Sequence, residues 1–421
     1  MRIIADLQIH SKYARACSKE LKPKNIGAWA DKKGIHVVGT GDFTHPMWLK
    51  ELKDNLEETK PGLYQLKDKS ARAYFLLAGE VSSIYKQGDK VRRVHNMILA
   101  SSFEAVDRIR KGLEATGANL KSDGRPIMGV HCDDLVKIVR KADSKSVVIP
   151  AHVWTPHFGV FGSLSGFDSI EEAYGDQAKH IFAIETGLSS DPKMNWQLSS
   201  LDKYALISNS DAHSLRKLGR EANVFEIPEN QLSYTSILRS MKVKDPKSFL
   251  YTIEFFPEEG KYHLDGHRDC KFSCLPEDTQ RHKGICPKCG KKLLVGVLSR
   301  VEELADRKHG FVPPGAIPFK SVIPLEEVIS ATIGVGVTSK KVTVIYEQMV
   351  TKHPEFVILL DLPKDEIAAI SNPMIAESVV RVREGKVNVA GGYDGVFGKI
   401  QIYTEAERKK LLMKSEQESL F

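Results

Sequence analysis

Four of the six cysteines crowd into one window: Cys270, Cys274, Cys286 and Cys289, written C-x3-C and then C-x2-C. Two close pairs of thiolates have the spacing of a closed tetrahedral zinc site, which supplies folding energy to a segment too small for its own core. Pro287 and Gly290 flank a tight turn in the second pair, and Lys288, Lys291 and Lys292 offset thiolate charge. A pair of disulfides is the competing reading, but nothing marks the chain as secreted. His267 or His282 could replace a ligand, but both read as surface residues, and Cys17 and Cys132 read as buried thiols.

Nine of the 14 histidines precede residue 214, and they recur near the ends of short β-branched runs. RIIADLQIH ends on Gln8 and His10, IHVVGTGDFTH on Asp42 and His45, and AYFLLAGE on Glu80. RVHNMILA carries His95, SVVIPAHVW delivers His152, IFAIETG delivers Glu185, and YALISNSDAH delivers Asp211 and His213. Imidazoles and carboxylates together bind divalent cations, and a clustered metal site can activate water and polarise substrate oxygens. The elements needed to gather these residues are parallel strands of a βα barrel, whose C-terminal ends meet at one mouth. A helix from Pro23 to Gly34, with Ile26, Trp29 and Ala30 inward, would connect the first two strands. The bland alternative is a chance clustering of buried histidines.

At 421 residues the chain has room for two to four domains. Its 42% hydrophobic and 27% charged residues exclude a disordered or collagen-like chain. The N-terminus lacks a signal-peptide pattern, and no apolar run reaches the roughly 18 residues of a membrane span, so a cytoplasmic protein without membrane partners is expected. The formal charge of +7 is compatible with a polyanionic partner without requiring one. We divide the chain into a barrel over 1–255, a zinc module over 256–296, a mostly helical third domain over 297–403, and a basic tail over 404–421. FVPPGAIPFKSVIP reads as a Pro-rich break, whereas IPLEEVISATIG, VTVIYEQMVTKH and KDEIAAIS have helical spacing.

DLQIH, TGDFTH, the isolated Glu80, PAH and NSDAH together resemble the polymerase and histidinol phosphatase (PHP) superfamily. That resemblance implies an α/β fold, a distorted seven-stranded βα barrel binding two or three divalent metals (Mg²⁺, Mn²⁺ or Zn²⁺). Carried over residue by residue, the metal ligands are Gln8, His10, Asp42 or His45, Glu80, His95, His152, Asp211 and His213. Glu80 would bridge ions, with His10 and Asp211, His95 and His152, and His45 and His213 completing them. Gln8 departs from the usual histidine, which points to a weaker, harder or missing metal. Glu80, Asp191 and Asp211 are the catalytic candidates, with helix capping an equal reading for Asp191. His157, Asp191 and Glu185 are candidates for proton shuttles or outer partners, and His131 and His36 read as structural.

The order of barrel, four-cysteine zinc module and third domain is similar to that of the endonuclease Q family, DNA repair enzymes of archaea and some bacteria. Stretches such as GTGDFTHPMW, IPAHVWTPHFGVFG and AGGYDGVFGKI carry the likeness. It implies nicking of DNA on the 5′ side of uracil, hypoxanthine, xanthine or an abasic site, in a nucleoid-associated protein. A flipped base needs a pocket and a wedge, for which Trp154, Phe158, Phe161 and Tyr393 are candidates, with a core aromatic the competing reading for each. Arg216, Lys217 and Arg220 are candidates for phosphate contacts, with a solvated helix face the alternative. Gln417, Leu420 and Phe421 resemble a shortened motif for the sliding clamp PCNA, with a frayed amphipathic tail the alternative. The alternatives are a PHP exonuclease, a small-molecule phosphatase, and a DNA-binding clamp adaptor without activity.

Overall fold

The computed structural model describes residues 1–404 and 406–408. The tail candidates Gln417, Leu420 and Phe421 lie outside the described residues. The apolar runs form β1 (Arg2–Asp6), β2 (Val37–Gly39), β3 (Leu56–Lys60), β4 (Leu63–Leu66), β5 (Tyr74–Leu76), β6 (Ala78–Gln87) and β7 (Lys90–Leu99). There follow β8 (Ile127–Met128), β9 (Val147–Pro150), β10 (Ala183–Glu185), β11 (Ala205–Ile207), β12 (Ala222–Glu226) and β13 (Phe249–Glu254).

One sheet contains β13–β12–β1–β2–β5–β4–β3, a second β8–β6–β7–β9, and a third β10–β11. Single backbone bonds stitch their edges together: Ala100 N donates to Leu77 O at 2.9 Å, Val153 N to Glu185 O at 3.0 Å, and His10 N to Ala212 O at 3.0 Å. The chain is thus an α/β protein with a distorted βα barrel, its ladder broken at these seams. Neighbouring residues of each run enter different cores. Ile3, Ala5, Val37, Leu76, Met97 and Ile149 belong to one apolar cluster, whereas Ile4, Val38, Phe75, Ile98 and Val148 belong to the other. Burial on both faces explains why these strands read as continuous apolar runs.

The structure departs from an all-parallel ring at β6 and β7. They form an antiparallel hairpin with Glu80 opposite Met97 and Ser82 opposite His95. Only Gly88 and Asp89 separate the two strands, with Gly88 at φ +60°, and a parallel connection needs a dozen residues or more. Glu80 therefore sits near the start of its strand, and His95 lies inside β7.

Beyond the barrel, β14 (Asp265–His267) and β15 (Phe272–Cys274) pair in a small hairpin. The four cysteines gather with this hairpin, where Cys274, Cys286 and Leu293 form a separate small core flanked by Cys270 and Phe272. The helix Val297–Leu304 fastens this module to the barrel. Buried Arg300 donates from Nε to Phe161 O at 3.0 Å and from Nη2 to Phe167 O at 3.2 Å. β16 (Phe319–Ser321) then adds to the main sheet, parallel to β13. The segment read as a Pro-rich break thus returns to the barrel before the helical region begins, because Thr252 N finds an acceptor in Pro318 O at 3.0 Å.

Helices Leu325–Ile333, Lys340–Val350, Glu355–Leu360, Lys364–Ile370 and Pro373–Arg383 share their own core around Val328, Tyr346, Ile358 and Val379. Among the described residues no helix is long and apolar enough to cross a membrane.

Candidate metal centre and nucleic-acid interface

β1, the turn after β2, the β6–β7 hairpin, and the loops after β9 and β11 bring their polar residues to one buried cluster. His10 lies at its middle, fully buried, with Nδ1 3.0 Å from Asp42 Oδ1 and Nε2 3.0 Å from Asp211 Oδ1. The same Nε2 lies 3.1 Å from Glu80 Oε2. The other Glu80 oxygen, Oε1, is 2.6 Å from His95 Nδ1 and 3.5 Å from His152 Nε2. Two sets can each offer ligand atoms within 4.8 Å of one another: His10, Asp211 and His213, and Glu80, His95 and His152. Glu80 touches both sets, one oxygen to each.

The donor chemistry fits divalent cations. His95 Nδ1 and His152 Nε2 are 3.2 Å apart beside a carboxylate oxygen. Gln8 Oε1 and His45 Nδ1 are buried without hydrogen-bond partners, and buried polar atoms are otherwise almost always paired. The backbone is strained here as well, with Asp42 and Asp211 at φ +46° and His152 at φ +30°. Non-glycine residues hold such angles only where the surroundings impose them, commonly at functional sites.

Burial opposes charge on His10, but the carboxylates of Asp42, Asp211 and Glu80 outweigh it and raise its pKa. Burial also opposes charge on Glu80, and Arg125, His95 and His10 overcome it, holding the carboxyl well below its usual range. His95 is pushed down to about 4, chiefly by burial, so at neutral pH its ring is in the neutral form that ligates metal. Glu185 is pushed up to about 8 by burial. Its Oε2 accepts from His152 N at 2.7 Å and its Oε1 from Asn209 Nδ2 at 2.9 Å.

Several expected residues have other positions. His45 belongs to neither set and does not join His213; its ring stacks on Tyr13 at 4.4 Å. Gln8 points its amide nitrogen at Glu80 Oε2, 3.3 Å away. Asp191 caps the short helix Pro192–Asn195, with Oδ1 accepting from Met194 N at 2.9 Å. Trp154 is not a wedge: it is 1% exposed and donates from Nε1 to Asn195 Oδ1 at 2.8 Å, against Phe161. Arg220 is also buried, donating to Ser210 O at 2.8 Å.

Arg216 pairs with Glu326 and Lys217 with Glu327, so both cations already have partners on the helix Leu325–Ile333. Tyr393 is half-buried, and its ring covers Gly266 of β14, where a Cβ would lie 2.5 Å from Cδ2. Phe158 differs from these: half-exposed, it stacks on His95 with centroids 4.3 Å apart and forms a rim of the cluster. His131 stacks on Tyr85 at 4.0 Å, and His36 accepts from Ile4 N at 3.1 Å, both in structural positions.

In the four-cysteine module the residues close enough to hold a metal ion together are His267, Cys270, Cys286 and Cys289. Cys274 lies at the other end of the β14–β15 hairpin, opposite Asp265, and its Sγ turns to Thr279 Oγ1 at 3.2 Å. His267, expected at the surface, thus stands with three of the cysteines where spacing placed Cys274. The hairpin puts His267 opposite Phe272, next to the turn that carries Cys270.

Arg125 was not read from the sequence. Its guanidinium approaches Glu80 Oε2, with Nη1 at 3.5 Å. A lone Arg-Pro in a polar loop carries no signal of a contact made across 45 residues of chain.

The pattern of matches is consistent along the chain. Residues 324–386 match the model of the MJ0043 C-terminal domain family. The chain is 34% identical over 250 residues to MJ0043 of Methanocaldococcus jannaschii, covering 59% of this chain and only 31% of that protein. It is 27% identical to YqxK of Bacillus subtilis over 88% of this chain and 90% of that one. Among solved structures, the lesion-specific endonuclease PfuEndoQ of Pyrococcus furiosus superposes with a TM-score of 0.84 at 29% identity, over 96% of both chains. Endonuclease Q in complex with a 27-mer duplex bearing an abasic lesion at the active site superposes with a TM-score of 0.85 at 30% identity, over 97% of this chain and 98% of that one.

Proposed function

The chain belongs to the endonuclease Q family, and from that premise we propose that it is a metal-dependent DNA repair endonuclease. It hydrolyses the phosphodiester on the 5′ side of a deaminated base (uracil, hypoxanthine or xanthine) or of an abasic site. The observation that carries this reading is the pair of ligand sets sharing Glu80, in a chain that follows a DNA-bound endonuclease along nearly its full length. Residues 1–255 are the nuclease unit, 256–296 the zinc module, and 297–403 the helical unit that grips the duplex.

Glu80, His10, Asp211 and His213 would hold one cation, and Glu80, His95 and His152 a second. When bound, such ions lower the pKa of water and clamp phosphate oxygens. The protein's own groups set up that chemistry. Asp42 orients His10 through Nδ1. Thr155 Oγ1 holds His152 Nδ1 at 3.0 Å, leaving Nε2 directed at Glu80. Glu185 fixes the strained turn at His152 through its backbone N–H, and its raised pKa lets it exchange a proton near neutral pH. Phe158 presents an aromatic face beside His95, suited to stacking on an extruded base or its sugar. In the zinc module, His267, Cys270, Cys286 and Cys289 would hold a structural Zn²⁺.

Labelled duplexes with uracil, hypoxanthine, an abasic site or only normal bases, incubated with Mg²⁺, Mn²⁺ or Zn²⁺, test the proposal. A lesion-dependent nick leaving a 5′-phosphate and a 3′-hydroxyl is expected, and Asp211→Asn should abolish it. End-trimming would instead mark an exonuclease, and binding without cleavage a clamp adaptor. The same role implies association with the nucleoid. We also propose that Gln417, Leu420 and Phe421 engage the clamp PCNA; unchanged clamp affinity in a chain ending at Ser415 would refute this.

A further inference from the structure

We propose that Arg125 is a catalytic residue that binds the non-bridging oxygens of the scissile phosphate, an inference that rests on the phosphodiesterase reading of the same site. The loop carrying it is pinned on both sides. Gly124 N donates to Tyr13 O at 3.1 Å, and Thr44 Oγ1 donates to Gly124 O at 3.3 Å. Asp123 Oδ1 accepts from Arg125 N at 2.9 Å, and Ser82 N bonds Pro126 O at 3.0 Å. A Cβ on Gly124 would lie 2.5 Å from Asp42 Oδ2, so the loop can approach the ligand turn this closely only without a side chain there. The backbone of Arg125 is therefore fixed relative to both His10 and Glu80.

Its side chain, 26% exposed, reaches from this anchored loop into the cluster, where its ion pair is with Glu80 Oε2 at 3.5 Å. Among the described residues no hydrogen bond to the guanidinium is formed, so its fork of donors remains open. A structural counterion would be expected to spend those donors at close range on its carboxylate, as paired arginines do. Glu80 Oε2 is instead met by Gln8 Nε2 at 3.3 Å and His10 Nε2 at 3.1 Å. Arg125 thus supplies a fixed positive charge with a planar, bidentate donor set at the rim of a site built for a phosphodiester. Such a group stabilises the extra negative charge that develops on phosphate oxygens during hydrolysis.

The test is a chemical cycle on duplexes with one abasic site, whose linkage 5′ to the lesion is either native phosphate or neutral methylphosphonate. Affinities are measured in an Asp211→Asn background, with and without Arg125→Ala and Arg125→Lys. Removal of a charge-assisted hydrogen bond corresponds to a loss of about ten- to a hundredfold. That loss is expected for Arg125→Ala on the native duplex, with little change on the methylphosphonate duplex and a partial loss for Arg125→Lys. In the otherwise wild-type chain, Arg125→Ala should lower single-turnover nicking while metal content by mass spectrometry stays the same. Equal losses on both duplexes, or a fall in metal content, would make Arg125 only the counterion of Glu80 and overturn the proposal. A wild-type chain that nicks no lesion duplex would overturn the functional reading, while the binding cycle would still decide whether Arg125 meets the phosphate.

Discussion

Replacing Lys33 by Met should loosen the helical unit from the barrel. Lys33 ends the helix Pro23–Lys33, and its Nζ lies 2.9 Å from Glu355 Oε2 with the two side chains only 2% and 5% exposed. Glu355 also accepts from Tyr346 Oη at 2.8 Å and from Leu325 N at 3.0 Å. At an effective dielectric of about 20 the pair's attraction is about 6 kcal/mol before desolvation. Without the ammonium, a buried carboxylate would retain only neutral donors, and breaking such a pair costs about 3–5 kcal/mol. Urea unfolding followed by tryptophan fluorescence is the suitable assay, because Trp29 stacks on Tyr346 across this junction. The double variant Lys33→Met, Glu355→Gln removes both charges and should recover most of the loss. The reasoning fails if Lys33→Met unfolds within about 1 kcal/mol of wild type, or if the double variant is no more stable than the single one.

Two further outcomes are expected. Burial raises the Glu259 carboxyl to about 8, helped by Glu327 and opposed by Lys217. The folded chain then binds a proton that the unfolded chain releases near pH 4.5, so this group's contribution to stability falls as pH rises from there through about 8. Glu259→Gln should therefore melt closer to wild type at pH 6 and higher than wild type at pH 8.5; a melting difference independent of pH would contradict this. In the zinc module, Cys286→Ser and His267→Ala should lose bound zinc, whereas Cys274→Ser should retain it. Zinc loss in Cys274→Ser, measured by mass spectrometry, would return that thiol to the ligand set.

Much of the cluster was legible because imidazoles and carboxylates sit where apolar runs stop, and the barrel brings those stops together. His10, Glu80, His95, His152, Asp211 and His213 all stand at or near such stops, and the structure gathers them in two adjoining groups. Their strand directions were harder to read. VSSIYKQGDKVRRV carries a turn at Gly88 that marks a hairpin, but Glu80 and His95, as metal-ligand types near apolar runs, mimic the ends of separate parallel strands. Trp154 and Phe158 are four residues apart in one Gly-rich loop, and nothing local tells which ring turns inward. Arg216 and Lys217 looked free because their partners, Glu326 and Glu327, lie 110 residues away. Ligand spacing in the four-cysteine module does not decide between Cys274 and His267, since the choice depends on which end of a hairpin faces the knuckle.

The β6–β7 hairpin has a practical consequence. Its base carries Glu80 and His95, and its far end turns at Gly88, where a Cβ would meet nothing within 4 Å. A dye attached at the neighbouring exposed Asp89 would ride on the same ladder that fixes those two ligands. It would report cation loading or duplex arrival from the tip of a stiff lever, without a label inside the cleft.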